Sequence, residues 1–332
     1  MIQASSVDDP LLIAAPFPRN HAQTCLFGKV ALMFDPIQVL WSPAGAVLPN
    51  LGSRALTDVS DGDTPNIRMP IRMLSIDTPE VTARSDAGAS NVDAKFLELA
   101  GWIENGKAPV SARFANYILP KLNTGTAGTL QFEQGTAASA WYKARIEERL
   151  TRPSGSKRKL FLSTSETPFD NYNRLLAYVA PSYSGKELAG MSRRERATFN
   201  LDLIESGWAA PFVLFPNIPG ELDLPLFLEL ATQAAAEGRG QYGDPASLPA
   251  YEYRMCEKLH AITKKIVAGD TVSGKDRLKW RTRYAADMRD RSLHGPESYM
   301  DVPLQYRIWI WPQDVQKAIG ALNLIPAPDL VD

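Results

Sequence analysis

Asp61-Gly62-Asp63-Thr64, followed closely by Ile71-Arg72-Met73-Leu74-Ser75-Ile76-Asp77-Thr78-Pro79-Glu80, is the stretch on which the reading of this chain turns. Ala55–Val59 and Ile67–Ile76 read as two strands joined through the acidic turn, because apolar runs bounded by Asp and Gly favour a hairpin. Taken singly, the pieces have plain structural explanations. Asp-Gly-Asp suits turn geometry, and Asp-Thr-Pro-Glu suits a strand end where a helix or turn begins. Taken together they carry chemistry. Pairing of the two strands is expected to bring Asp63 and Asp77 into one pocket. Two carboxylates with a backbone carbonyl and water suit Ca²⁺, which takes six to eight oxygens in flexible geometry. Arg72, and much later Arg174 in Asn173-Arg174-Leu175-Leu176-Ala177-Tyr178, offer the planar bidentate donors that phosphate recognition favours. A divalent metal, a spare carboxylate at Glu80 and two arginines amount to equipment for cleaving a phosphodiester.

Outward from this stretch, residues 82–132 read as an insertion, with small and polar runs around one helix near Asp93–Glu104. Thr136–Leu150 has helical apolar spacing and leads through Lys157-Arg158-Lys159 into a strand at Leu160–Ser163. Leu175–Ala180 predicts a further strand. Ala197–Ser206 predicts a helix stopped by Gly207, and Leu226–Glu237 another stopped by Gly238. Residues 1–50 read as a hairpin or edge-strand extension carrying no chemistry. Beyond a Gly/Pro-rich segment at 238–249, Tyr251–Val267 reads as an amphipathic helix, Gln305–Trp311 as a strand, and Pro312 as the opening of a last helix to Leu322.

The 332 residues are 45% hydrophobic and 22% charged, enough for a sizeable core and against disorder. Thirty-six Lys and Arg against 37 Asp and Glu give no global attraction to a polyanion, so such a site must be local. Two cysteines, Cys25 and Cys256, exclude a disulfide framework, and with only His21, His260 and His294 a zinc cage of protein ligands is not expected. The N-terminus lacks the pattern of a signal peptide, and no run is long enough for a membrane helix. The expected compartment is the cytoplasm, or the exterior if a leader was removed. No membrane partner is expected.

The segments Asp61–Thr64, Ile71–Glu80 and Arg174–Tyr178, in that order, resemble the signature segments of the staphylococcal nuclease-like (thermonuclease) family. Gly135-Thr136-Ala137-Ala138-Ser139-Ala140 resembles the start of that family's first helix, and Phe199–Ala209 its second. The helix near Leu226–Glu237 fits the third. The resemblance implies an α+β domain over residues 54–242, a five-stranded OB-fold β-barrel with three packed helices, interrupted by the insertion and flanked by extensions at 1–53 and 243–332. It implies a Ca²⁺-dependent, sugar-nonspecific nuclease leaving 3′-phosphate and 5′-hydroxyl ends on DNA or RNA, with other divalent ions possible as cofactors. Asp63 and Asp77 would be metal ligands with the Thr78 carbonyl. Glu80 would be the general base, and Arg72 and Arg174 the phosphate clamps.

Tyr172 matches a family tyrosine near the phosphate, and Phe212 lies where tyrosines flank the bound base, able to stack on it without a hydroxyl. The cluster Lys275–Arg291 carries seven Lys and Arg against three Asp, with Trp280 and Tyr284 interleaved. That pattern makes Lys279, Trp280, Arg281 and Arg283 candidates for contact with a nucleic-acid strand. Trp309 and Trp311 read as core, and His260 and His294 as structural or exposed. The alternative is an OB module that binds nucleic acid while catalytically silent or gated.

Overall fold

The computed structural model describes residues 52–330. The N-terminal hairpin expected over residues 1–50 lies outside them. The first elements, β1 (Leu56–Asp61) and β2 (Thr64–Ile67), pair antiparallel only with each other among the described residues. All of β1 is exposed, so this hairpin has no buried face to fix it against the rest. The strand expected at Ile67–Ile76 is instead broken into β3 (Ile71–Met73) and β4 (Ile76–Asp77). Between them Ser75 takes a left-handed backbone with φ of 61°. Its hydroxyl lies 2.7 Å from that of Tyr178, an anchor for the kink that re-aims Asp77.

The insertion is built of helices joined by short turns: α1 (Asp86–Glu104), α2 (Ala112–Leu122) and α3 (Ala127–Leu150), the last running on into the helix expected from Thr136. In α1, Ala89, Val92, Phe96, Leu99, Ala100 and Ile103 are buried at the three- and four-residue spacing of one helix face. Ser85 and Ser111 cap α1 and α2 by accepting the amides of Gly88 and Phe114. The first amides of α3 are capped from outside, by Asp93 of α1, which accepts from Gly128 N at 2.6 Å and Thr129 N at 3.0 Å. The small residues that read as loop are the contact surface of two helices. A Cβ on Gly128 would stand 2.7 Å from the carbonyl oxygen of Ala89 and from the Val92 Cβ.

Next come β5 (Leu160–Phe169), β6 (Leu175–Pro181), the single turn α4 (Gly185–Leu188), α5 (Phe199–Glu205), β7 (Ala210–Pro211), β8 (Val213–Leu214) and α6 (Asp223–Ala236). β3 lies parallel to β6, with Arg72 opposite Leu176, and β5 lies antiparallel on the other side of β6. β4 pairs with β7. Asn200 of α5 ties these pieces together, accepting from Val179 N at 3.1 Å and donating to Leu74 O at 2.8 Å. Beside it Asp202, 1% exposed, receives Arg145, Arg149 and Arg194, which fixes α5 to α3.

The C-terminal third contains α7 (Ala250–Val267), α8 (Gly274–Arg277), β9 (Tyr284–Asp287), β10 (Ser292–His294), β11 (Arg307–Ile310), α9 (Val315–Leu322) and β12 (Ile325–Pro326). Its sheet runs β12-β10-β9-β11-β8 and so recruits β8 from before residue 242. The fold is mixed α+β, as expected. Its described sheets stay separate, and none closes into the expected five-stranded barrel. The physical reason is edge pairing: β1 and β2 satisfy one another, while the free edge of β8 is taken by β11.

The described residues belong to one compact unit, with two apolar clusters that cross the expected boundary at 242. In one, Phe96 and Phe114 pack with Tyr251, Trp280 and Trp309. In the other, Ile76, Ile204 and Phe227 pack with Ile308, Ile310 and Leu324. No helix among the described residues is long and apolar enough to cross a membrane.

Candidate functional site

Arg72 sits mid-strand in β3, and Arg174 immediately precedes β6. The parallel register places Ile71 opposite Leu175, and Leu175 N donates to Pro70 O at 3.0 Å, which draws both arginines to the same side of the sheet start. They line one cleft of about 210 Å³ with Thr78, Met73, and Ser139 and Tyr142 of α3. Arg174 is braced from behind. Asp170 Oδ2 accepts from its Nε at 2.8 Å and pairs with its Nη2 at 2.6 Å, and the guanidinium lies 5.3 Å from the Tyr172 ring centroid. Asp170 also accepts the backbone amides of Tyr172 and Arg174. Partial desolvation pushes its carboxyl up, yet these bonds prevail and hold it below the usual range. Tyr172 is 79% exposed, so its outer face is open to a base.

Asp77 is the buried centre of the arrangement, 1% exposed. Arg72 Nη2 donates to its Oδ1 at 2.8 Å, and Arg254 Nη2 to its Oδ2 at 2.6 Å. Arg254 also donates to Glu80 Oε1, so one guanidinium from α7 bridges both carboxylates. Glu80 is placed by α3. A Cβ on Gly135 would lie 2.8 Å from the carbonyl oxygens of both Pro79 and Glu80. With its amide oriented to satisfy both groups, Gln131 accepts Glu80 N at 2.8 Å and donates to Leu248 O at 2.9 Å. The resemblance takes Gly135 as the start of a helix, whereas it lies well inside α3, where it seats the Glu80 backbone.

Arg254 is the member of this arrangement that sequence reasoning missed. The available signal was an arginine between Tyr253 and Met255 on a helix whose neighbouring positions are nearly all apolar and buried. Arg283, from the loop before β9, lies close by. Its guanidinium carbon stands 4.3 Å from the Trp311 ring centroid and 5.0 Å from that of Phe212. Burial, reinforced by the charges of Arg254 and Arg72, pushes its pKa down to about 10.

The other expected residues are scattered. Asp63 is exposed at the tip of the β1–β2 hairpin, its carboxylate accepting from the Thr64 hydroxyl. Phe212 is buried between Tyr251, Trp309 and Arg283, so neither ring face is open. Trp280 is 0% exposed and packs 4.9 Å from Phe114, a core residue in place of the expected stacking platform. Lys279 pairs with Asp276 and Arg281 with Glu297. Trp309 is core, as read. His260 is mostly buried, stacked on Trp102 and bonded to Glu98.

As arranged, the oxygen donors do not suit a Ca²⁺ ion. Both Asp77 oxygens and one Glu80 oxygen already accept from guanidiniums, and Asp63 has its own local partner. Among the described residues no cluster of three His, Cys, Asp or Glu could hold a metal. What the arrangement can do is bind an anion. Two clamping arginines face one cleft, and the carboxylates that would repel a phosphate are neutralised behind them.

No protein-family model matches the chain, and no curated protein matches it.

Proposed function

We propose that the protein is a phosphodiester hydrolase of nuclease type acting on DNA or RNA, and that its carboxylates are held in a charge-neutralised, gated state by Arg254. The observation that carries this reading is the convergence on one cleft of Arg72 and Thr78, from a single short stretch, with Arg174 from far along the sequence. In that cleft Arg72 and Arg174 hold the equatorial oxygens of a phosphate through planar forks, and Tyr172 stacks on a neighbouring base. Glu80 takes the proton of the attacking water once Arg254 no longer occupies its oxygen. In this reading β3, β6 and β5 correspond to an arc of an OB-type barrel. Ca²⁺ dependence is carried by the sequence reading, from its carboxylate pattern and the family resemblance.

A second reading is favoured by the same Arg254. If the bridge is permanent, the cleft binds nucleic acid and turns nothing over. Degradation of single-stranded DNA, duplex DNA and RNA across a Ca²⁺ titration, with EDTA as control, separates the two. Cleavage to 3′-phosphate ends that is lost in Glu80→Gln and faster in Arg254→Gln supports the gated enzyme. Strand binding that survives EDTA, without cleavage by wild type or Arg254→Gln, overturns it in favour of the binding module.

A further inference from the structure

Among the described residues, Arg283 is a guanidinium without a matching acid. Its Nε is buried without a hydrogen-bond acceptor, and among the described residues its one side-chain hydrogen bond is from Nη1 to the neighbouring Thr282 hydroxyl at 3.5 Å, the outer limit for such a bond. No carboxylate pairs with it among the described residues. The carboxylate whose charge reaches it, Asp77, is already bonded to Arg72 and Arg254. The rings of Trp311 and Phe212, 4.3 and 5.0 Å from the guanidinium carbon, offer it no carboxylate or carbonyl acceptor, and a planar guanidinium fork is the group that meets two oxygens of one tetrahedral anion.

The surroundings add positive charge. Lys258 lies one helical turn after Arg254 on α7, is exposed, and forms no ion pair among the described residues. Its ammonium is held below its ordinary pKa by desolvation and by the charges of Arg283 and Arg254. The acids facing the group are Asp77 and Glu80, both engaged by Arg254, and Glu257, whose carboxyl is pushed up by burial and by Glu80. Arg283 does not line the cleft of Arg72 and Arg174.

We propose that Arg283, flanked by Lys258 and Arg254, forms a second anion subsite that takes a phosphate-class oxyanion, separate from the Arg72–Arg174 cleft. It extends the preceding reading and does not require that the cleft hydrolyse anything. A neighbouring phosphate of a bound strand and a free phosphate share the chemistry that fits it.

Calorimetric titration of the full chain with inorganic phosphate tests the subsite, using Arg174→Ala to weaken binding in the cleft. In that background phosphate still binds, and adding Arg283→Gln lowers the affinity at least tenfold. Arg283→Lys, which keeps the charge and loses the planar fork, weakens it several-fold and serves if the glutamine variant fails to fold. Phosphate affinity unchanged by either Arg283 substitution, or no phosphate binding to Arg174→Ala, overturns the subsite. A parallel titration with a short single-stranded oligonucleotide assigns the source: equal losses for both probes identify a backbone phosphate, and loss for inorganic phosphate alone identifies a free one. Absence of strand cleavage bears on the hydrolase reading only and leaves these outcomes intact.

Discussion

Single residues set the charge balance of this site. Arg174 is the most accessible of the arginines around the cleft and its carboxylates, and it is held by Asp170 in place of a deeper partner. That pair leaves the guanidinium ready to exchange its carboxylate for a phosphate at small cost, because an exposed ion pair contributes little by itself. Arg174→Ala is therefore expected to leave the melting temperature nearly that of wild type. It should weaken binding of a short single-stranded oligonucleotide about tenfold and flatten the salt dependence by roughly one counterion. Filter binding at several salt concentrations checks this, and an unchanged slope would remove Arg174 from the phosphate contacts. Arg72 is a different kind of residue. It lines the cleft while also bonding to buried Asp77, so its removal leaves a buried charge less compensated as well as changing the cleft.

At the scale of elements, α3 does two jobs. Its N-terminal half belongs to the inserted helices, where Asp93 of α1 caps it. Its middle seats the Pro79–Glu80 backbone at Gly135, with no room for a side chain. Gly135→Ala must push the Glu80 segment away, since the obstructing atoms are backbone carbonyls that cannot rotate aside. The expected cost is about 1–3 kcal/mol of stability. The better helix propensity of alanine offsets at most about 1 kcal/mol of that loss. Chemical denaturation of Gly135→Ala measures the balance; a variant as stable as wild type would show that the close approach is not rigid. Beyond this packing, α3 reaches the site through Gln131, which accepts the Glu80 amide, and through Ser139 and Tyr142, which line the cleft.

At the scale of the whole molecule, the insertion and the C-terminal third are one body with the strands that carry the arginines. Buried Glu252 of α7 makes this concrete. It accepts from Tyr117 at 2.6 Å and Lys121 at 3.0 Å on α2, from Tyr251 at 2.8 Å, and lies 3.8 Å from Arg307 of β11. Desolvation pushes its carboxyl up, but the charges of Lys121 and Arg307 outweigh that and hold it below the ordinary range. Lys121→Met leaves this charge less compensated and is expected to destabilise the fold by about 3 kcal/mol at neutral pH. Because the folded-state pKa is depressed, the stabilisation is present above the unfolded value and is lost as pH falls through the folded one. Stabilities of wild type and Lys121→Met should therefore converge in acid. Denaturant titrations at neutral and acid pH read both effects, and a gap that persists unchanged at low pH would contradict the assignment.

The sequence by itself determined the elements whose stabilising information is local: the apolar spacing of α3, α6 and α7, the stop of α5 at Gly207, and the β5 and β6 strands. It also picked out Arg72, Arg174 and Thr78, which the fold brings to one cleft, and Asp77 and Glu80 behind it. Only the tertiary structure decided what those carboxylates bond to. Arg254 comes from a helix far along the chain, and no local pattern records that its guanidinium ends between Asp77 and Glu80. The same holds for Trp280 and Phe212, whose aromatic faces serve a strand or a core equally well until packing covers them. Asp63 went astray for a related reason. Hairpin chemistry fixes the turn that carries it, but the hairpin's direction depends on a buried face that β1 and β2 do not have.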